Sequence, residues 1–394
     1  MMQDVFKFKK LIKLFALRSW RSEMRYRKTL LCIIVFLSVF QALCGQNTDS
    51  IFHNPLFVNK VFDIGDVNVL DGEDGYFYLY GSGSFANQVL YRSKDLVDWE
   101  NTGIIPIPES TRKEISQIKQ PSKEETGNSP FWSSTRMWAP MIVKVGHRYN
   151  MFTSAGAYSG IICLQADSLQ GPYFFSHHDD DGRPRKLIDL KDVDIPYDAI
   201  DPYFVRDHKS GKNFLFFGSA YGVYRVTLSK DGTKLARRPK FTLVAGRHEG
   251  GGVGNGYEGA MLYFHDGYWY MILSPRNDYR LLCWRSKSLK GKFVDKNGNT
   301  PLGNLYGHEI LGPQPDYYRT PEGFALKMTG HSGEIVKDKS GRYFVFCHAA
   351  VEPVSDKYWR RAVCMTEIIW DKDGWPLAVT KDRKVSYENR KPDM

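Results

Sequence analysis

The sequence predicts an all-β protein, a five-bladed β-propeller, and three observations carry that reading. A turn centred on glycine recurs five times, each followed by a strand of alternating aromatic and aliphatic residues: DGEDGYFYLYGSGS at Gly75, KVGHRYNMFTSAG at Gly146, HKSGKNFLFFGSA at Gly211, FHDGYWYMILSP at Gly267 and DKSGRYFVFCHA at Gly341. These glycines are 71, 65, 56 and 74 residues apart, so each unit has room for a small sheet of its own. Helical periodicity is almost lacking. A β-sandwich could use as many strands but predicts no fivefold repeat.

The chain has 394 residues, 42% of them hydrophobic and 14% aromatic, enough for a large core and too many for a disordered chain. The net charge of +10 is uneven. Residues 1–45 contribute +7 of it, from nine basic and two acidic residues, which leaves +3 for the remaining 349. A nearly neutral body with interspersed signs has no electrostatic footprint for nucleic acid. The basic leader ends at Lys28 and runs into TLLCIIVFLSVFQALC (residues 29–44), with small residues at Ala42 and Gly45. A cationic flank before a short apolar run reads as a secretory signal peptide cut near Gly45, with Met24 as an alternative start and an uncleaved anchor as the rival reading. No other stretch approaches a membrane span. The expected mature protein is a single catalytic propeller over 46–394, secreted or periplasmic. Its cysteines Cys163, Cys283, Cys347 and Cys364 sit in apolar stretches with no metal-binding spacing and read as buried hydrophobes.

Each unit follows one scheme. An apolar strand enters the glycine turn, which supplies the positive φ, and the aromatic strand leaves it. A third strand follows in LYRSKDLVDW (from Leu90), CLQADSLQGPY (from Cys163), CWRSKSLKGKF (from Cys283) and YRVTLSKDG (from Tyr224). Residues 106–129 and 176–199 are polar and read as long surface loops, the kind that build a cleft over one end of a propeller. The glycine-rich run 249–256 lacks the Lys-Ser/Thr of a phosphate loop and reads as a flexible loop. His177-His178-Asp179-Asp180-Asp181 reads as a solvated loop, and Arg360-Arg361 as packed stems with solvated heads.

The strand entering each turn lines the central channel, so residues at a constant distance before the glycine converge. Nine before Gly75 is Asp66, ten before Gly211 is Asp201, nine before Gly267 is Glu258 and ten before Gly341 is His331. Trp138 stands eight before Gly146. Like charges repel, so three carboxylates at one end of a channel point to acid–base chemistry or metal binding, with an ion- or water-filled channel as the inert alternative. Two carboxyls flanking a bond are the equipment of glycoside hydrolysis: one protonated to donate, one ionised to activate water. A third anion can hold the acid's pKa up. Trp138, Trp132 and Tyr257 offer flat faces for sugar rings.

These motifs resemble the family 43 glycoside hydrolases, and most of all their endo-1,5-α-arabinanases. Asp66-Val67, Trp138-Ala139-Pro140, Ile200-Asp201-Pro202, Tyr257-Glu258-Gly259, Gly330-His331, Cys347-His348-Ala349 and IIWDKDGWP (from Ile368) match in order from about Asn54 to Pro376. The resemblance implies that Asp66 is the general base, Glu258 the general acid and Asp201 the residue that modulates the acid's pKa, with inversion at the anomeric carbon. It also implies a nearby calcium and no organic cofactor; His331 would help to hold that metal or an ordered water on the axis, the alternative being a histidine that only hydrogen-bonds Asp201 or Glu258. The expected partner is an oligo- or polysaccharide, arabinan or a related pentose-containing polymer. Val67, Met141, Ala260 and Ser332-Gly333 depart from the usual pattern, so the sugar stays open. The alternatives are an exo-acting arabinofuranosidase or xylosidase and a propeller that binds glycan without cleaving it.

Overall fold

The computed structural model describes residues 50–56, 64–83, 89–118, 137–155, 160–193, 195, 199–246, 256–303, 306–314, 319–321, 323, 325–331, 333–352 and 360–394. The leader, Trp132 and most of the 249–256 run lie outside them. Among the described residues no helix is long and apolar enough to cross a membrane.

Five antiparallel sheets form the blades, each built from chain-consecutive strands. The inner strands are Gly65–Asp71, Met137–Val145, Tyr203–Arg206, Tyr257–His265 and, in blade 5, Ala325–Gly330 resumed by Ile335–Lys337. Each pairs with the strand beyond its glycine turn: Phe77–Ser82, Arg148–Ala155, Asn213–Phe217, Tyr268–Pro275 and Tyr343–Glu352. Gly75, Gly146, Gly211, Gly267 and Gly341 all have φ between 67° and 91°, which an L side chain adopts only under strain.

The blades hold together through five separate apolar clusters, one per interface. In blade 4, Tyr270 and Ile272 point toward blade 5, where they meet Val345 and Cys347. Their neighbours Trp269, Met271 and Leu273 point the other way and meet Phe214 and Phe216 of blade 3. The period-2 alternation of a strand thus serves two interfaces at once, so the second strands are almost continuously apolar. The four cysteines are reduced and buried within these layers, with burial pushing Cys347 up to about 12.

The ring closes through the segment ahead of blade 1. Leu56 N–H donates to the Val363 carbonyl at 2.7 Å, and Ile64 N–H to the Arg361 carbonyl at 3.2 Å, both on the third strand of blade 5. Asn54 donates to the Met365 and Ser386 carbonyls and accepts from Met365 N–H. Two expected loops carry structure. Residues Glu109–Ser116 form a helix that buries Thr111 and Ile115. Ile188–Asp189 pairs with Ile161 and Gly160 as an outer strand of blade 2. Both elements are too short for periodicity to distinguish from loop.

Candidate active site

At one end of the channel every inner strand adopts the same local conformation. Asp66, Ala139, Asp201, Gly259 and His331 have φ of 47°, 43°, 52°, 63° and 51°. The ladder shifts register between Gly65 and Asn68, Trp138 and Met141, and Glu258 and Met261, and in blade 5 it passes from the pair Gly330–His348 to the pair Ile335–Val345 across His331. A bulge turns the positive-φ residue out of the ladder and leaves its N–H without a strand partner. At four positions the preceding blade supplies one. Asp66 N–H donates to His348 Nδ1 at 3.0 Å, Ala139 N–H to Ser82 Oγ at 2.6 Å, Gly259 N–H to Asp201 Oδ2 at 3.2 Å and His331 N–H to Ser274 Oγ at 2.7 Å.

The bulges refine the alignment read from glycine spacing. Asp66, Asp201 and His331 share one register position. Glu258 precedes its positive-φ residue and shares instead the position of Trp138: Glu258 pairs with Ser274 as Trp138 does with Ser154. Offsets of nine or ten mix these two positions because the glycine turns differ in length, two residues between the strands in blades 2 and 4 against five or six in the others.

Asp66, Asp201 and His331 line one small cavity of about 30 Å3 on the axis, and Gly259 lies beside them. That is room for an ordered water. His331 Nε2 lies 3.2 Å from Asp201 Oδ2 and 3.5 Å from Asp66 Oδ1, bridging the two carboxylates. Asp66 Oδ2 is also held by Arg361 at 2.6 Å, and its Oδ1 lies 3.4 Å from His348. Glu258 is 6% exposed and accepts from Ser219 Oγ and Arg276, both at 3.1 Å.

The two carboxyls are driven in opposite directions. Burial and the Asp201 charge push Glu258 up to about 7, against Arg276 and His331. Burial would also raise Asp66, but Arg361, His331 and His348 overcome it and hold the carboxyl well below its usual range. For His331 burial opposes the charge, yet Asp66 and Asp201 raise it to about 9, so the ring is a cation at neutral pH. His348 accepts at Nδ1 and is held neutral by burial, down to about 3.

The fit to a metal can be judged from the donors. Asp66, His331 and His348 offer ligand atoms within 4.8 Å of one another. Ca²⁺ takes ~6–8 oxygens, whereas this set has two imidazoles and one carboxylate oxygen already engaged by cations. The described residues do not form a calcium cage.

The aromatic expectations divide. Trp138 is partly exposed. Tyr257 is fully buried, edge-on to Trp284 with ring centroids 5.4 Å apart, and it packs the interface of blades 3 and 4. It cannot stack on a sugar. Strand alternation explains the reversal, since a residue adjacent to Glu258 points to the opposite face. Arg361 is the second correction: its head enters the site rather than the solvent. A Cβ on Gly65 would lie 2.5 Å from the Arg361 guanidinium, so the glycine before Asp66 leaves the passage open. Arg276, Ser219 and His348 also belong to the site; His348 and Ser219 stood in quoted motifs without being singled out, and Arg276 stood in none.

One raised and one depressed carboxyl at a channel mouth are the equipment of a glycosidase. The family profile described as "Glycosyl hydrolases family 43" matches residues 53–376, and the chain belongs to that family. It is 24% identical over 339 residues to the extracellular endo-α-(1→5)-L-arabinanase of Thermotoga petrophila, covering 76% of this chain and 67% of that one. It is 24% identical over 265 residues to a probable arabinan endo-1,5-α-L-arabinosidase C of Aspergillus niger, over 62% of this chain and 74% of that one. Among solved structures, the Cellvibrio cellulosa α-L-arabinanase complexed with arabinohexaose superposes with a TM-score of 0.60 at 19% identity, covering 80% and 95% of the two chains. An exo-1,5-α-L-arabinanase from a bovine ruminal metagenomic library superposes at 0.57 and 23%, covering 81% and 97%. At these identities the superpositions speak for the fold.

Proposed function

We propose that the protein is an exported, inverting glycosidase that cleaves α-1,5-linked arabinan. Glu258 is the general acid, Asp66 the general base and Asp201 the group that keeps Glu258 protonated. The observation that carries this reading is the opposed environment of Asp66 and Glu258 around one channel mouth. An acid must hold a proton near neutral pH and a base must not, and the surrounding charges impose both conditions. Glu258 donates to the leaving oxygen while Asp66 draws a proton from the attacking water. Asp201 raises the acid's affinity for its proton and caps the backbone beside it through Gly259 N–H. His331 balances the two Asp carboxylates and holds them at fixed spacing. Trp138 presents the sugar-stacking face. The basic leader and the extracellular relative support export.

Product analysis on debranched arabinan, beside aryl arabinofuranoside and aryl xyloside, tests the reading. Arabino-oligosaccharides of mixed length are expected from the polymer. Free arabinose alone would indicate exo action, and no release from any of the three would indicate a glycan-binding module. Asp66→Asn and Glu258→Gln are each expected to lower kcat by ~10²–10⁴-fold with melting temperature preserved.

A further inference from the structure

Glu334 is an acid that this mechanism does not use. The inner strand of blade 5 breaks between Gly330 and Ile335, and Glu334 stands in the break. Its Oε1 accepts from Asn68 Nδ2 at 3.1 Å, and its Oε2 lies 3.0 Å from Tyr203 Oη. Asn68 Oδ1 accepts from Ile142 N–H at 2.9 Å, and Tyr203 Oη lies 3.3 Å from the Leu262 carbonyl. These four contacts join the inner strands of all five blades one layer below the carboxylates. Asn68 is two residues beyond Asp66, Tyr203 two beyond Asp201, and Glu334 three beyond His331. Asn68, Tyr203 and Glu334 line both the small cavity above and a larger one of about 380 Å3 below, so they form the partition between them.

Tyr203 has a single hydroxyl proton, and the shorter contact, 3.0 Å to Oε2 against 3.3 Å to the Leu262 carbonyl, receives it. Asn68 is oriented by Ile142 N–H on its oxygen, so its amide donates to Oε1. Both donors are neutral and no Lys, Arg or His among the described residues is paired with Glu334, so its withdrawal from water favours the uncharged carboxyl.

We propose that Glu334 is a neutral acid that ties the five inner strands across the axis and thereby positions Asp66, Asp201 and His331. Its environment agrees: burial pushes it up to about 8, against the hydrogen bonds from Tyr203 and Asn68. Asp66, Asp201 and His331 share the cavity above it, and Tyr263 of blade 4 also faces it. Blade 2 brings Met141 and Ile142 to its level, while Asp71, Glu73, Lys144 and Arg206 line the lower cavity. The positioning role rests on the catalytic roles proposed above, and the tie itself does not.

Melting curves from pH 5 to 9 on the full chain and its Glu334→Gln, Glu334→Leu and Tyr203→Phe variants test the tie. Gln keeps the acceptor for Asn68 and stays uncharged at every pH. A carboxyl that ionises near 4.5 when unfolded and near 8 when folded costs stability as pH rises between those values. The melting temperature of Glu334→Gln relative to wild type is therefore expected to climb over that interval and level off above it. A gap that stays constant or closes as pH rises would overturn the neutral acid. Kinetics on linear 1,5-α-arabinan test the positioning. Glu334→Leu should lower kcat by about tenfold or more with KM little changed, since misplacement by ~1 Å can cost 10²-fold, and Glu334→Gln should recover most of it. Where Glu334→Leu fails to fold, Tyr203→Phe should show the same split. An unchanged kcat in the variants that break the tie would overturn the positioning role. Should even wild type leave arabinan intact, the proposed function fails while the melting curves still decide the tie.

Discussion

The proton affinity of Glu258 is raised because burial and Asp201 outweigh the cations Arg276 and His331. Burial and Asp201 favour the neutral acid, and Arg276 at 3.1 Å favours the anion. Catalysis by a general acid is lost as pH rises through its pKa, so the basic limb of the pH–rate profile should fall near pH 7. Asp201→Asn removes an anion, lowers the pKa and should move that limb to lower pH. Arg276→Gln removes a cation, raises the pKa and should move it to higher pH. Limbs that stay put in both variants would assign the titration to another group. The two residues differ in how visible they were. Asp201 sits at a fixed distance from a turn glycine. Arg276 and Arg361 reach the carboxylates from outside the inner strands, where no repeat position marks them. Gly65 was the available sign of Arg361, since the glycine before Asp66 leaves room for a close approach.

At the level of the strand, the bulge presents the site. A positive φ at a histidine or aspartate costs on the order of 1–3 kcal/mol, and the capping bonds from the preceding blade offset it. Gly259→Ala would bring a Cβ within 2.8 to 2.9 Å of the His331 ring at φ +63°. It is expected to destabilise the fold by ~1–3 kcal/mol in a denaturant melt and to lower kcat, because His331 must move away from Asp201. Ser274→Ala, which leaves the His331 N–H uncapped, should cost ~1–3 kcal/mol. Glycine turns and alternating aromatics made all five hairpins legible in the sequence. The bulges were not, because a one-residue insertion leaves hydrophobic spacing almost unchanged while it moves Glu258 and Tyr257 relative to the axis. The helix at Glu109–Ser116 and the outer strand Ile188–Asp189 were hidden for a different reason: each is held by tertiary packing rather than by its own pattern.

Across the whole molecule, the five blades depend on ring closure. Among the described residues no strand of the blade 5 sheet comes from the N-terminus, and Asn54, Leu56 and Ile64 do the joining. Asn54→Ala would strand the Met365 and Ser386 carbonyls and the Met365 N–H. A loss of ~2–4 kcal/mol is expected in equilibrium unfolding, with the transition still cooperative. Fold class and family membership follow from the repeat and its motifs over the whole body. The mechanism rests on one question, whether Asp66 and Glu258 act on opposite faces of the sugar through a water. Time-resolved proton NMR of the hydrolysis of a linear α-1,5-arabino-oligosaccharide answers it most directly. The account predicts that the β-anomer of the new reducing end appears first and then mutarotates. Initial release of the α-anomer would mean a covalent intermediate and would contradict it.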